Sequence, residues 1–457
     1  MISMAATAAF LAPIEPPDQP LSVFPLLRTV IDNPIKAWPR AVYRDRLYRR
    51  RVFGQDAVYV MAPDLIRTVL LDDADSFEKG EIARRTLGPG LGDSILVADG
   101  SRWRWQRRAV AALFRPERIR EFLPEMIAAA ERTRDRWQTM PPGAEIDVAR
   151  EMMRTTFDII LRTMLPGRGR IDTELMERSV TSGLESTSWI VALALVRAPS
   201  WVPYPGIYRT RRNRKRLHSI LESLIIEARQ TPGNGDDLLS HLTTATDPET
   251  GRSMNTIDIR NNLMTFITAG HETTALALTW TFYLLSLYPE VEERVRGELA
   301  AVTGGGPVRP NHIDELAYTN QVIQESMRLY PPAALIVRAA RRDIVLDNEQ
   351  IRAGMTVYVP VYAVHRHEKI WSEPDRFDPS RFEPDAAKLI DRFSYLPFGA
   401  GPRTCIGQNF AQMEAAAVMA TLLRSFQLKL RPGYTPEPRL RVTLRPAEGM
   451  PMRLQRQ

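Results

Sequence analysis

The chain has 457 residues, 44% hydrophobic and 25% charged, and its 61 Lys plus Arg against 54 Asp plus Glu give a formal charge of +7. This excludes a short peptide module and a disordered chain, and allows two or three domains or one large one. The single cysteine, Cys405, excludes an intrachain disulfide and any multi-cysteine zinc or iron–sulfur site.

Residues 1–24 open with an apolar stretch, Ala5 to Pro13, too short to span a bilayer, and then become dotted with proline. They predict a loosely ordered lead without a membrane anchor, ahead of one domain over 25–457 in a cytoplasmic protein. Arg51 to Phe53 and Val58 to Met61 read as two strands around a Gly54-Gln55-Asp56 turn. From Pro63 the apolar spacing is helical for most of the next 270 residues, including Trp103–Phe114, Ile119–Trp137, Val148–Leu165, Arg211–Ala228, Ile257–Tyr288, Pro289–Val302 and Ile313–Tyr330. Short strands return at Leu335–Ala339, Ile344–Leu346 and Thr356–Val361. A proline- and arginine-rich stretch, Trp371 to Pro402, precedes a helix from Gln408 to Phe426. The expected class is mainly α with a small β portion, at about 45–62 and 333–361, in a single domain without internal repeats.

Basic residues are interspersed with acids and are dense only at Arg49 to Arg51 and Arg211 to Arg216, a pattern of solvated faces rather than of nucleic-acid binding. The excess suits an acidic protein partner. Six of the 61 cations are lysines, so a lone arginine carries little information.

Asn261 to Tyr288 is apolar nearly all round, yet its middle reads Gly270-His271-Glu272-Thr273-Thr274. A buried carboxylate costs several kcal/mol unless it is paired or lines a wet cavity, so this patch is expected to face a cavity. His271-Glu272 does not complete a zinc-protease motif, because the second histidine position holds Ala275. Gly88, Gly90 and Gly92 do not make a dinucleotide loop, because Asp93 stands where a third glycine is needed and no strand leads in. Gly304 to Gly306 lead to proline rather than to Lys-Ser/Thr.

The sole cysteine lies in Phe398-Gly399-Ala400-Gly401-Pro402-Arg403-Thr404-Cys405-Ile406-Gly407, where a helix begins. A helix N-terminus favours a thiolate, and the glycines let backbone approach a flat ligand. Read from the residues, this is a thiolate metal ligand or a reactive cysteine. The segment resembles the haem-binding signature of the cytochrome P-450 superfamily at Phe398, Gly401, Arg403, Cys405 and Gly407, and the likeness extends along most of the chain. Ala269 to Thr274 resemble that family's oxygen-activating motif, Glu325 and Arg328 its Glu-x-x-Arg pair, Pro374 to Phe377 the later segment bearing a third arginine, and Trp103 with Arg107 its Trp-x-x-x-Arg.

The resemblance implies a triangular prism of helices with haem b between the long central helix and the cysteine-loop helix. It implies Cys405 as iron ligand, with Phe398, Gly399 and Gly407 beside it and Ala269 and Gly270 on the opposite face. Trp103, Arg107, Arg338 and Arg403 would donate to the haem propionates, Thr273 and Glu272 would handle oxygen and protons, and Glu325, Arg328 and Arg376 would form a structural cluster. Arg102, Arg104 and Arg108 would form a basic patch that steers an acidic electron donor.

The implied activity inserts one atom of O2 into a hydrophobic small molecule in contact with Leu96, Phe266, Leu335 and Ile336. Electrons would come from a separate ferredoxin or flavodoxin with its reductase, since no flavin or nicotinamide motif is present. A monomer is expected, with no nucleic acid bound. Peroxide-driven oxygenation and a non-catalytic haem-thiolate sensor are the alternatives.

Overall fold

The computed structural model describes residues 14–52, 54–165, 187–196, 198–199, 201–230 and 238–457. Its helices of nine residues or more are α1 (Val23–Asp32), α2 (Gly80–Leu91), α3 (Gly100–Ala111), α4 (Leu123–Gln138), α5 (Val148–Met164), α6 (Thr187–Leu195), α7 (Ile207–Gln230), α8 (Thr256–Leu287), α9 (Pro289–Thr303), α10 (Ala317–Leu329) and α11 (Gln408–Leu423). No described helix is long and apolar enough to cross a membrane.

The central helix is α8, whose 32 residues span about 48 Å. It starts on a capping box: Asp258 N–H donates to Asn255 Oδ1 at 2.9 Å, and Asn255 N–H reaches back to Asp258. Its apolar circumference is buried on all sides, against α5, α7, α10 and α11. Contact with α5 is close because Gly270 has no side chain: a Cβ there would lie 2.7 Å from Ile160 Cδ1. Thr156 on α5 also donates to the His271 carbonyl at 2.8 Å. Farther along, Trp280 stacks on Tyr330 with ring centroids 4.2 Å apart and donates to the Leu444 carbonyl at 3.1 Å.

The main sheet has the order β1 (Leu47–Val52), β2 (Gln55–Val60), β8 (Thr356–Val359), β5 (Ile336–Ala340), β3 (Phe77–Glu78), with only β2 and β8 parallel. The later strands fall where the β-branched runs predict them, but the early hairpin differs: β1 starts four residues sooner than expected, Gln55 and Asp56 pair in β2 instead of forming the turn, and the short β3 was not anticipated. A three-stranded sheet, β4 (Glu145–Asp147), β12 (Pro451–Arg456) and β9 (Phe426–Leu430), and two hairpins, β6–β7 (Ile344–Leu346, Glu349–Ile351) and β10–β11 (Pro438–Leu440, Leu444–Pro446), complete the β structure. The sequence reading did not anticipate the C-terminal strands, which are short and carry proline at Pro438, Pro446 and Pro451. One hydrophobic cluster runs from Ile14 to Leu454.

Part of the expected loose lead is packed: Ile14 is buried, Arg40 N–H donates to the Pro17 carbonyl at 3.0 Å, and α1 begins at Val23. Residues 1–13 lie outside the described residues.

The Trp371–Pro402 stretch is held against α10 by buried polar bonds. Arg328 makes a two-pronged pair with Glu325 (2.7 and 2.8 Å), both side chains being fully buried, and donates to the carbonyls of His365, Pro374 and Arg376 at 2.9, 2.6 and 2.8 Å. The third arginine differs from the expectation. Arg376 points outward to Glu373 at 2.8 Å and gives the cluster only its carbonyl. Arg381 instead approaches Glu325 at 3.5 Å and donates to the Ser372 carbonyl at 2.7 Å. Pro-x-Arg-Phe occurs twice five residues apart, and Asp378 starts a 3-10 turn that sends the second arginine inward.

His365 extends the cluster toward the cysteine loop. Its Nδ1 meets the Arg328 carbonyl at 3.1 Å, and its Nε2 accepts from Leu396 N–H at 2.7 Å. Burial, aided by Arg328, pushes its pKa down to about 3, so the ring keeps the lone pair that this bond needs.

Candidate active site

The cysteine loop is closed by Cys405 N–H donating to the Phe398 carbonyl at 2.9 Å and Thr404 N–H to Gly401 at 3.1 Å. Gly401 has φ +71°, and a Cβ there would overlap the Leu70 carbonyl, so only glycine lets the loop lie against that backbone. The loop presents Cys405 one turn ahead of α11.

Cys405 carries exposed surface, yet burial pushes its thiol up, against the lowering influence of the Gly407 amide and the Arg107 cation. Both are true because the thiol opens into an internal cavity of about 880 Å³. Across that cavity runs the middle of α8. There Ala269 is exposed and Thr268, Gly270 and Thr273 are half-exposed, in a helix otherwise almost wholly buried. Every residue expected to touch haem, oxygen or substrate lines this one cavity: Cys405, Arg403, Arg338, Trp103, Arg107, Phe398, Gly399, Gly407, Ala269, Gly270, Thr273, Glu272, Leu96, Phe266, Leu335 and Ile336.

Their local states differ. Thr273 Oγ1 donates to the Ala269 carbonyl at 2.7 Å, which leaves its lone pairs to accept from the cavity. Glu272 does not stand beside it. Successive helical residues point about 100° apart, and the Glu272 carboxylate is buried where it accepts from Thr443 Oγ1 at 2.5 Å and from Arg445. The free acid expected next to Thr273 is thus committed to the β10–β11 hairpin.

One flank of the cavity is cationic. Arg338 is buried with a single side-chain bond, to the Val337 carbonyl at 2.9 Å, and burial lowers its pKa to about 10. Arg107 is also lowered by burial. Arg403 is already engaged: it donates to Asp99 at 2.5 Å and to the Ala98 carbonyl at 3.0 Å, and lies over the Trp103 ring at 4.4 Å. Its part is therefore to brace Trp103 and the cysteine loop, with less left to donate to a ligand than the sequence reading assumed.

Lys79 joins this flank and was missed. Burial, then the charges of Arg338 and Arg403, hold its pKa well below the ordinary lysine value, with Asp99 opposing. Its single sequence clue is that it is one of six lysines in an arginine-rich chain.

Lys79, Arg107 and Arg338 converge on one wall, where the nearby carboxylate, Asp99, is shared by Arg403, Arg84 (3.0 Å) and Lys79 N–H (3.1 Å). This excess of buried positive charge calls for an anion. A flat ligand carrying a metal for Cys405 at its centre and carboxylates at one edge fits the cysteine, the glycine-lined faces and the cationic flank together.

The steering patch expected on α3 is not free. Arg102 pairs with Asp258 (2.9 Å), Arg104 with Asp75 (2.7 Å), and Arg108 with the buried Asp247 through two bonds (2.7 and 2.8 Å). These carboxylates lie between 29 and 156 residues away, so sequence proximity gave no hint of the neutralisation.

Residues 33–451 match the family model described as Cytochrome P450. Cyclooctat-9-en-7-ol 5-monooxygenase of Streptomyces melanosporofaciens is 33% identical over 381 residues, covering 82% of this chain and 80% of its own. Pentalenene oxygenase of Streptomyces avermitilis is 31% identical over 386 residues, covering 83% of each. Among solved structures, the cytochrome P450DA heme domain superposes with a TM-score of 0.80 at 25% identity over 90% of each chain.

Proposed function

This chain belongs to the cytochrome P450 family, and from that premise we propose that it binds haem b through Cys405 and hydroxylates an apolar small molecule with electrons from a separate ferredoxin or flavodoxin. The observation that carries the reading is the one cavity that joins the sole cysteine, the open turn of α8 and a buried cationic flank. Haem held there would supply the activation of O2 and the transfer of one oxygen atom to substrate.

The chain's own residues do the rest. Cys405 donates its sulfur, with the Gly407 amide directed at it. Arg107, Arg338 and Lys79 hold the carboxylates, and Trp103 is fixed by Arg403. Thr273 accepts a hydrogen bond from water or a protonated oxygen on the α8 face. Leu96, Phe266, Leu335 and Ile336 exclude bulk water and receive an apolar substrate. The direct test is the reduced, carbon monoxide-treated spectrum of the purified protein. A strongly red-shifted Soret band supports the reading, and folded protein without it would refute it.

Thr273→Ala is expected to leave haem content unchanged and to raise peroxide released per reductant consumed several-fold, because the cavity loses its hydroxyl acceptor. Coupling equal to the parent's would remove Thr273 from proton handling.

Haem affinity should also depend on pH through Lys79. With its pKa depressed by burial and then by Arg338 and Arg403, despite Asp99, Lys79 is neutral in the haem-free site above that lowered value, and an arriving anion restores its charge. Binding therefore takes up a proton, and affinity falls as pH rises from the lowered toward the restored value. In transfer of haem to an apo-globin acceptor across pH, Lys79→Met should flatten this part of the slope. Identical slopes for both proteins would show that Lys79 does not meet the anion.

A further inference from the structure

The basic run Arg211 to Arg216 reads in the sequence as a solvated face, but the fold gathers part of it into a hollow. Arg211, Arg214, Lys215, His218, Ser219 and Glu222 recur at three- and four-residue spacing, so they share one face of α7. With Arg260, near the start of α8, they line an open pocket between the two helices. Four cations there face one carboxylate, and that carboxylate, Glu222, is already paired with Arg260. Among the described residues no carboxylate comes within ion-pair distance of Arg211, Arg214 or Lys215.

Two nitrogens of this hollow, His218 Nε2 and Arg260 Nε, are buried without a hydrogen-bond partner. The His218 ring also registers the unbalanced positive charge. Burial, then Arg260 and Arg214, lower its pKa, with Glu222 and the Gly90 carbonyl opposing. Buried polar atoms left unpaired and like charges held together are each costly, and one anion with several oxygens relieves both. The number of acceptors selects its class. A carboxylate brings two oxygens and a single charge, whereas a phosphate monoester brings three free oxygens and nearly two charges, enough for several cations at once.

We infer that this hollow is a binding site for a phosphate group, free or as a soluble monoester, held by Arg211, Arg214, Lys215, His218 and Arg260. Its position gives the ligand a consequence. Arg211 and Arg214 also line the large cavity, and Arg214 donates to the carbonyl of Pro89 at the end of α2, which lines that cavity too. A phosphate that fixes these two arginines ties α7 to α8 and to α2 and steadies one wall of the cavity. None of the residues that hold it is assigned to haem or oxygen, so the site stands independently of the haem-thiolate reading.

The test is isothermal titration calorimetry of the full-length protein as purified, at constant ionic strength and about pH 8, where a phosphate monoester is doubly ionised. Inorganic phosphate and phenyl phosphate are the probes, with acetate as the singly charged control. Both phosphates should bind, and acetate at least about tenfold more weakly. Arg211→Gln together with Lys215→Gln should weaken phosphate by about tenfold or more. Arg212→Gln together with Arg216→Gln removes the same charge from exposed positions of α7 outside the hollow and should leave affinity within about twofold. Phosphate should also slow amide hydrogen exchange in peptides covering residues 87–92 and 207–222 of the parent, and not in the Arg211→Gln, Lys215→Gln protein. Tighter binding of phenyl phosphate than of inorganic phosphate marks an ester as the ligand, and equal binding marks the free ion. No heat with either phosphate, acetate binding as tightly, equal weakening in the two paired variants, or heat without protection of both segments would overturn the site.

Discussion

Cys405→Ser is expected to leave the helical fold in place while abolishing both the red-shifted carbonyl band and oxygenation. The cysteine loop is closed by backbone bonds and by the Gly401 contact with Leu70, none of which uses the sulfur. The loss should exceed the roughly 10–100-fold that follows removal of an outer partner of a metal ligand. Burial disfavours a free thiolate here, and the Gly407 amide and Arg107 only partly offset it, so the sulfur becomes a thiolate when a metal cation supplies the remaining stabilisation. A serine oxygen is harder and a poorer electron donor at that position. Far-UV circular dichroism, the carbonyl spectrum and turnover measured on one preparation check this. Retention of the band together with turnover would remove Cys405 from the metal.

The largest effect on stability is expected at Arg328. Arg328→Leu leaves Glu325 buried without its bidentate partner and strips a donor from the carbonyls of His365, Pro374 and Arg376, at a cost of about 3–5 kcal/mol. Against a total stability of about 5–15 kcal/mol, much of the protein should then be unfolded or unable to hold haem. The two tandem arginines separate within the same experiment. Arg381→Gln removes a cation near Glu325 and a bond to the Ser372 carbonyl and should cost about 1–3 kcal/mol, whereas Arg376→Gln removes an exposed pair with Glu373 and should stay within about 0.5 kcal/mol. Urea midpoints decide between them, and equal midpoints for the two variants would contradict the inward placement of Arg381.

The neutralised α3 arginines bear on partner recognition. Arg102, Arg104 and Arg108 are each matched by a carboxylate, so this helix offers little net field to an acidic electron donor. An overall charge of +7 therefore does not identify a docking face.

The amino-acid sequence by itself determined what depends on local chemistry. The glycine-spaced loop around Cys405, the apolar α8 with its polar middle, the early hairpin and the helical run are written in residues that are neighbours in the chain, so periodicity and motif suffice to read them. What only the tertiary structure decided concerns where charged side chains terminate. Glu272, although it lines the cavity, is paired with Thr443 and Arg445, more than 170 residues away, and is not left as a free acid beside Thr273. Arg403 is taken by Asp99, 304 residues earlier, and Lys79 rather than a further arginine completes the cationic wall. Of two identical Pro-x-Arg-Phe spacings, one turns inward because a 3-10 turn begins at Asp378. The physical reason is common to all of them. A long charged side chain reaches several ångströms in any direction its backbone allows, and its partner is chosen by what folding brings near and by the cost of leaving a buried charge unmatched, neither of which is encoded in the residues beside it.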